Sequence, residues 1–300
     1  MTSSPVYDLP FPARLNPRAG LLEEHMRRRG LASKARFDQL VARMYPTAPW
    51  PLLGSIGQII VWLFLYDDRL DPGGTPSAHD EFVRSTEQAL TEAGPGGSAD
   101  PVVRCLASWR AEVESTVPAA WWQNCVADLV EVVRSIAREH RAQDFPSLDA
   151  YRSARLHTSG WTLLTDLAEL ADDAVLPQSM RHLPMVRQLR VTAGDVACAV
   201  NDLLSLGKEI KAGECHNQVL IVRREEECTL QEAIERTENW AAGRLRDYLN
   251  LRGALVSDSH VRQRALVDRY ATGMENLMRG SLDWSIGTSR YLQPELEQTR

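Results

Sequence analysis

Three hundred residues allow one large domain or two modest ones, and an apolar share of 44% is enough to bury a real core. A net charge of −6 with no basic stripe excludes a typical nucleic-acid binder, and Arg27, Arg28 and Arg29 read as a solvated helix face. The opening Met1-Thr2-Ser3-Ser4-Pro5-Val6-Tyr7 is not a signal peptide, the apolar run 59–66 is too short to cross a bilayer, and Cys105, Cys125, Cys198, Cys215 and Cys228 form no Cys-x-x-Cys pair, which leaves a soluble, cytoplasmic protein without a disulfide framework or zinc site.

Helical periodicity dominates from there on. Residues 21–44 alternate charged and apolar positions at three- and four-residue steps, and 52–70 is an apolar run containing Trp62 and Phe64. Pro72-Gly73-Gly74-Thr75-Pro76 stops that helix. Residues 79–93 read as a surface helix and 101–140 as two long ones. Ser147 caps the next helix, Asp172-Asp173 reads as a helix end in solvent, and Pro184 opens the helix that carries Asn201. Residues 229–257 and 259–279 are the last long helices, with 281–291 a short terminal piece. No period-two pattern and no internal repeat is visible. The expectation is an all-α single domain over 1–300, with residues 1–20 packing over the helical core.

Two strings stand out. In Asp67-Asp68-Arg69-Leu70-Asp71, Asp67 and Asp71 are one helical turn apart, so both carboxylates leave one face. Ile60, Leu63 and Phe64 lie one and two turns back, so the acids prolong an apolar stripe. In Asn201-Asp202-Leu203-Leu204-Ser205-Leu206-Gly207-Lys208-Glu209, the residues Asn201, Ser205 and Glu209 repeat the four-residue step twice and form one line of oxygen donors. Oxygen donors without histidine or thiolate suit a hard cation, Mg²⁺ or Mn²⁺, which keeps positions for phosphate and water. The pairing points to a metal-clamped diphosphate.

The second string resembles the metal-binding triad of bacterial class I terpene synthases, and the first resembles their aspartate-rich motif. The likeness extends to Gly213-Glu214-Cys215-His216-Asn217-Gln218-Val219-Leu220, to Trp284-Ser285-Ile286-Gly287-Thr288-Ser289-Arg290-Tyr291, and to the segment 151–160, which is similar to the one holding the family's diphosphate-sensing arginine. The resemblance implies an α-helical terpenoid synthase fold. It places Asp67 as main metal ligand, Asp71 as a further ligand or support, and Asp68 as the residue orienting the loop. Asn201, Ser205 and Glu209 would hold metal opposite them, with three Mg²⁺ ions in all and Mn²⁺ able to substitute. Arg155, 46 positions before Asn201, is the expected sensor, and Arg152 is the competing candidate, assigned to the surface side. Lys208, Arg290 and Tyr291 would contact diphosphate. Where the family often has aspartate and then glycine after the sensor, this chain has Thr158 and Ser159, with Gly160 one further, which still fits a helix break. Ser159 and Gly160 at that break, with Phe64, Trp161 and Trp284 as cavity aromatics, are the expected substrate contacts.

The implied activity is Mg²⁺-dependent ionisation of a linear isoprenyl diphosphate and cyclisation of the resulting cation. A farnesyl substrate leading to a sesquiterpene is favoured, with geranylgeranyl diphosphate as the alternative. A chain-elongating prenyltransferase would carry a second aspartate-rich motif where Asn201, Ser205 and Glu209 stand, and a non-catalytic helical binder would not need the charged contacts. No nucleic-acid or membrane partner is expected. A homodimer fits the resemblance, although no residue pattern specifies it. The segments 72–75 and 281 onward are expected to order on closure over ligand.

Overall fold

The computed structural model describes residues 5–70, 75–92, 98–142, 145–258 and 261–291, and among these there is no β-strand. The helices are α1 (Ala19–Arg28), α2 (Phe37–Met44), α3 (Leu52–Arg69), α4 (Pro76–Thr91), α5 (Pro101–Val113), α6 (Ala119–Arg141), α7 (Leu148–Thr158), α8 (Trp161–Ala171), the single turn α9 (Gln178–Arg181), α10 (Pro184–Ala212), α11 (Gln218–Glu225), α12 (Leu230–Asp258) and α13 (Val261–Gly287). Several boundaries follow from local chemistry. Ser147 accepts a hydrogen bond from the Ala150 amide at 3.1 Å and caps α7. Pro184 occupies the first turn of α10, where its missing N–H costs nothing, and Gly213 ends that helix in the left-handed conformation at φ 73°.

Elsewhere the elements depart from expectation. The stretch 21–44 is two helices, because Gly30 turns left-handed (φ 71°) and the chain regains helix only at Phe37. Residues 281–287 are no separate piece but the last two turns of α13. Asp172 is no solvent-facing helix end: it is half-buried, accepts a short hydrogen bond from the Thr47 hydroxyl and packs beside Gly273 of α13. Burial pushes its carboxyl above the usual range, against that hydrogen bond.

One large apolar core joins the helices. Within it Trp62, Trp109, Trp121, Trp161 and Trp284 each donate the indole N–H to a backbone carbonyl of another segment, at 2.8–3.1 Å. Large rings are thus buried without stranding their polar atom. Residues 5–18 lie against the bundle: Val6, Leu9 and Phe11 are buried, and Asn16 donates to the carbonyls of Tyr45 and Ala48. Behind α8, Arg181 pairs with Asp166, Glu169 and Asp128, and Arg190 shares Asp166, so α6, α8, α9 and α10 are pinned by charges that burial alone would penalise. Burial raises Asp166 to about 7 despite both arginines.

α10 packs against α7, α11, α12 and α13, while α3 packs against α1, α2, α5 and α8, and the two helices supply facing walls of one cavity. α13 can close that cavity because Gly280 lets it touch α2. A Cβ there would stand 2.6 Å from backbone atoms of Arg43 and Met44, which cannot turn aside. Gly280→Ala should therefore cost about 1–3 kcal/mol or more in urea unfolding. Asp172→Ala, which removes the hydrogen bond with Thr47 and the packing beside Gly273, should cost about 1 kcal/mol and leave turnover unchanged.

Candidate active site

The cavity has a volume of about 530 Å³, within the usual range for a small-molecule site. Along α3 its lining runs Ile60, Leu63, Phe64 and then Asp67 and Asp68, so the wall turns from apolar to acidic toward the helix C-terminus. Along α10 it runs Ala197, Cys198, Asn201 and then Lys208 and Glu209, polar toward the same end. The cavity is therefore greasy within and charged at one mouth. Leu40, Met44, Leu164, Trp161 and Trp284 complete the apolar part.

Phe64 stacks on Phe37, ring centroids 4.1 Å apart, and Arg290 lies over Phe64 at 5.3 Å. Trp284 meets Phe37 and Tyr291 and donates its indole N–H to the Ala35 carbonyl, so it is locked in place. The terminal segment thus reaches the cavity through an aromatic cluster. Tyr291 accepts a hydrogen bond from the Asn201 amide at 3.0 Å, and burial pushes its phenol upward.

The break expected after α7 is present. Ser159 ends that helix and Gly160, left-handed at φ 71°, starts α8; a Cβ there would also sit 3.0 Å from Leu63. Thr158, Ser159 and Gly160 all line the cavity. The Ser159 hydroxyl accepts a weak contact from the Cys198 thiol at 3.4 Å, whereas the Thr158 hydroxyl is buried with no partner among the described residues. Cys198 is raised to about 11 by burial, so it stays a thiol.

Arg155 lines the cavity and Arg152 does not. Arg155 donates through Nε and Nη2 to Asp202 at 3.1 and 3.0 Å, and through Nη2 to Oδ1 of the Asn201 side chain at 2.9 Å. Burial disfavours the guanidinium charge, but Asp202 and then Tyr151 outweigh it, and its pKa stands well above the ordinary value. Arg152 is half-buried outside the cavity lining: it stacks on the Trp240 ring at 3.8 Å and donates through Nε to the Gln218 side chain.

The oxygen donors differ in placement. Asp67 lines the cavity and meets His140 Nε2 at 2.9 Å, and Asp68 lies beside it; Asp71 lies outside the described residues. Asn201 and Glu209 line the opposite wall, while Ser205 is buried just behind it and hydrogen-bonds Glu209. Glu209 accepts from the Asn217 amide at 2.6 Å. Burial, then the negative charge of Asp202, push its carboxyl upward, and among the described residues no basic side chain ion-pairs with it. A buried carboxylate met only by neutral donors, beside an amide oxygen and a hydroxyl, is a donor set that suits a hard divalent cation. Lys208 lines the cavity at the same end, 3.8 Å from Glu214.

Sequence reasoning did not single out Asp202, Tyr151 or His140. Asp202 is only 1% exposed; its carboxylate accepts from Arg155, from the Tyr151 hydroxyl at 2.7 Å and from the Gln218 amide at 3.0 Å. The one available signal was its place inside the Asn201 string.

Comparison with known proteins gives the same assignment. The family described as terpene synthase family 2, C-terminal metal binding, matches residues 58–247. Pristinol synthase of Streptomyces pristinaespiralis is 31% identical over 94% of this chain and 83% of its own length. The (+)-T-muurolol synthase of Roseiflexus castenholzii, named for cyclising (2E,6E)-farnesyl diphosphate, is 29% identical over 91% of this chain and 84% of its own. Hedycaryol synthase solved with HEPES superposes with a TM-score of 0.82 at 24% identity, over 93% of this chain and 97% of that one. Wild-type cucumene synthase gives 0.80 at 22% identity, over 94% and 100%. An all-α bundle around a greasy cavity, acids on α3 facing Asn201 and Glu209 on α10, and a family match across 58–247 together mean that this chain belongs to the terpene synthase family, in the branch described by its C-terminal metal-binding region.

Proposed function

We propose that the protein is a class I terpene cyclase that ionises farnesyl diphosphate with Mg²⁺ and folds the C15 cation into a cyclic sesquiterpene, releasing diphosphate. The observation that carries this reading is the facing of Asp67 and Asp68 on α3 by Asn201 and Glu209 on α10 across one cavity. Asp67, Asp68 and Asp71 on one side and Asn201, Ser205 and Glu209 on the other would hold three Mg²⁺ ions, or Mn²⁺ in their place. Bound there, the ions supply the positive charge that stabilises the departing diphosphate.

Arg155, Lys208, Arg290 and Tyr291 stand at the same end and would bind the diphosphate oxygens. Arg155 can present a planar fork to two oxygens, which lysine cannot. These donors act where negative charge grows as the allylic C–O bond breaks and its electron pair leaves with the diphosphate. The prenyl chain then lies against Leu40, Met44, Leu63 and Leu164, a wall that excludes water from the cation. Phe64, Trp161 and Trp284 line the cavity there, and an aromatic ring face turned to a desolvated cation is worth about 0.5–2 kcal/mol. The farnesyl assignment is supported by the muurolol synthase relative, whose name specifies that substrate.

Pure protein offered C10, C15 and C20 isoprenyl diphosphates with Mg²⁺ should yield a cyclic C15 product by gas chromatography and none in EDTA. With isopentenyl diphosphate added as the C5 acceptor, a longer diphosphate would mark a prenyltransferase, and turnover that survives the chelator would overturn the metal mechanism. Asn201→Ala should be nearly inactive. Arg155→Lys should lower kcat more than it raises KM, by roughly 30- to 1000-fold for a lost contact of about 2–4 kcal/mol. Arg152→Lys gives up the stacking on Trp240 and the Nε hydrogen bond to the Gln218 side chain, neither of them in the cavity, and should change the rate by less than about twofold; the reverse order in steady-state assays would mean that the sensor is misassigned.

A further inference from the structure

The first turn of α11 touches both halves of the polar wall without lining the cavity. Asn217, fully buried, is its N-cap: Oδ1 accepts from the Val219 amide at 2.8 Å. The two hydrogens of its Nδ2 go to Glu209 Oε2 at 2.6 Å and to the Asp202 backbone carbonyl at 2.7 Å. The following amide, of Gln218, donates to Asp202 Oδ2, and Asp202 Oδ1 holds Arg155. One side chain is therefore bonded to a carboxylate on the cavity wall and to the residue that orients the cavity arginine.

We propose that Asn217 is a positioning residue of the ionisation reaction, fixing Glu209 directly and Arg155 by way of Asp202. The proposal rests on the metal-dependent reading above. The residue type follows from the geometry. Serine and aspartate cap a helix as well as asparagine does, but serine is shorter and aspartate has no hydrogen to donate. Only an amide caps α11 and donates twice at this reach. With Oε2 held by Asn217, the Glu209 side chain cannot swing without stranding a buried donor. Groups that orient a metal ligand in this way typically govern metal affinity by about 10–100-fold.

The test is Asn217→Asp, which keeps the cap and removes both donations. Binding of Mn²⁺ with inorganic diphosphate, read by calorimetry, should weaken by about 10–100-fold. The loss in turnover should lie in kcat more than in KM, while circular dichroism still shows the helical fold. Asn217→Ser, which keeps the cap without adding a buried charge, carries the same expectation and decides the matter if the aspartate variant does not fold. A folded variant whose melting temperature falls but whose Mn²⁺–diphosphate affinity and kcat stay within about twofold of the parent would show a merely structural role and overturn the proposal alone. Failure of the parent protein to bind Mn²⁺ with diphosphate would overturn the metal reading and this proposal together.

Discussion

The charge pair between Arg155 and Asp202 is the contact around which the site is arranged. Ion pairs taken out of water stabilise a protein only when every remaining lone pair and proton finds a partner, and removing one member typically costs about 3–5 kcal/mol. Asp202 meets that condition with donors from three directions: the Arg155 guanidinium, the Tyr151 hydroxyl and the backbone of α11. The pair fastens α7 to α10 just before the break at Gly160, and so fixes both the wall that carries Asn201 and the bend that shapes the cavity interior. Asp202 also offsets the burial that disfavours the guanidinium charge.

The two ends of the cavity obey different physics. At the charged end, orientation matters: Asp67 is aligned by His140, Glu209 by Asn217, and Asn201 by Arg155 on its oxygen and Tyr291 on its nitrogen. In the apolar part, shape matters, and it is set by packing among α2, α3, α8, α10 and α13. The aromatic cluster of Phe37, Phe64, Trp284 and Tyr291 bridges the two regimes, one ring packing in the core while the next reaches Asn201.

Much of this was legible in the chain. The two strings marked positions that line the cavity, Asp67 and Asp68 on α3 and Asn201 and Glu209 on α10, because an α-helix turns a four-residue spacing into a shared face; Ser205 lies just behind that wall, and Asp71 lies outside the described residues. Ser147 and Pro184 marked helix starts through local backbone chemistry. What stayed hidden depends on distant partners. Asp202 looks like any helical aspartate until Tyr151 and Gln218 arrive from other elements, and Asp172 passes for a surface residue until Thr47 meets it. The continuity of α13 through Gly280 was equally opaque, since a glycine inside a helical pattern reads as a weak point unless the neighbouring backbone of α2 is known to lie against it.

Gly194 has a role of another kind. A Cβ at this position of α10 would fall 2.5 Å from Leu156 and 2.6 Å from Trp161, so the helix runs hard against the bend between α7 and α8. The α10 backbone there packs directly on the Leu156 and Trp161 side chains, and Trp161 in turn is part of the cavity lining. The residues free to vary the interior include Leu40 and Met44 on α2, Leu164 on α8 and Ala197 on α10, and none is a partner in the side-chain hydrogen bonds that hold Arg155, Asn201 and Glu209. Inheritance can thus redraw the mould in which a hydrocarbon is bent while leaving untouched the machinery that sets it in motion. A fold divided in this way can change its product by single substitutions and keep its chemistry.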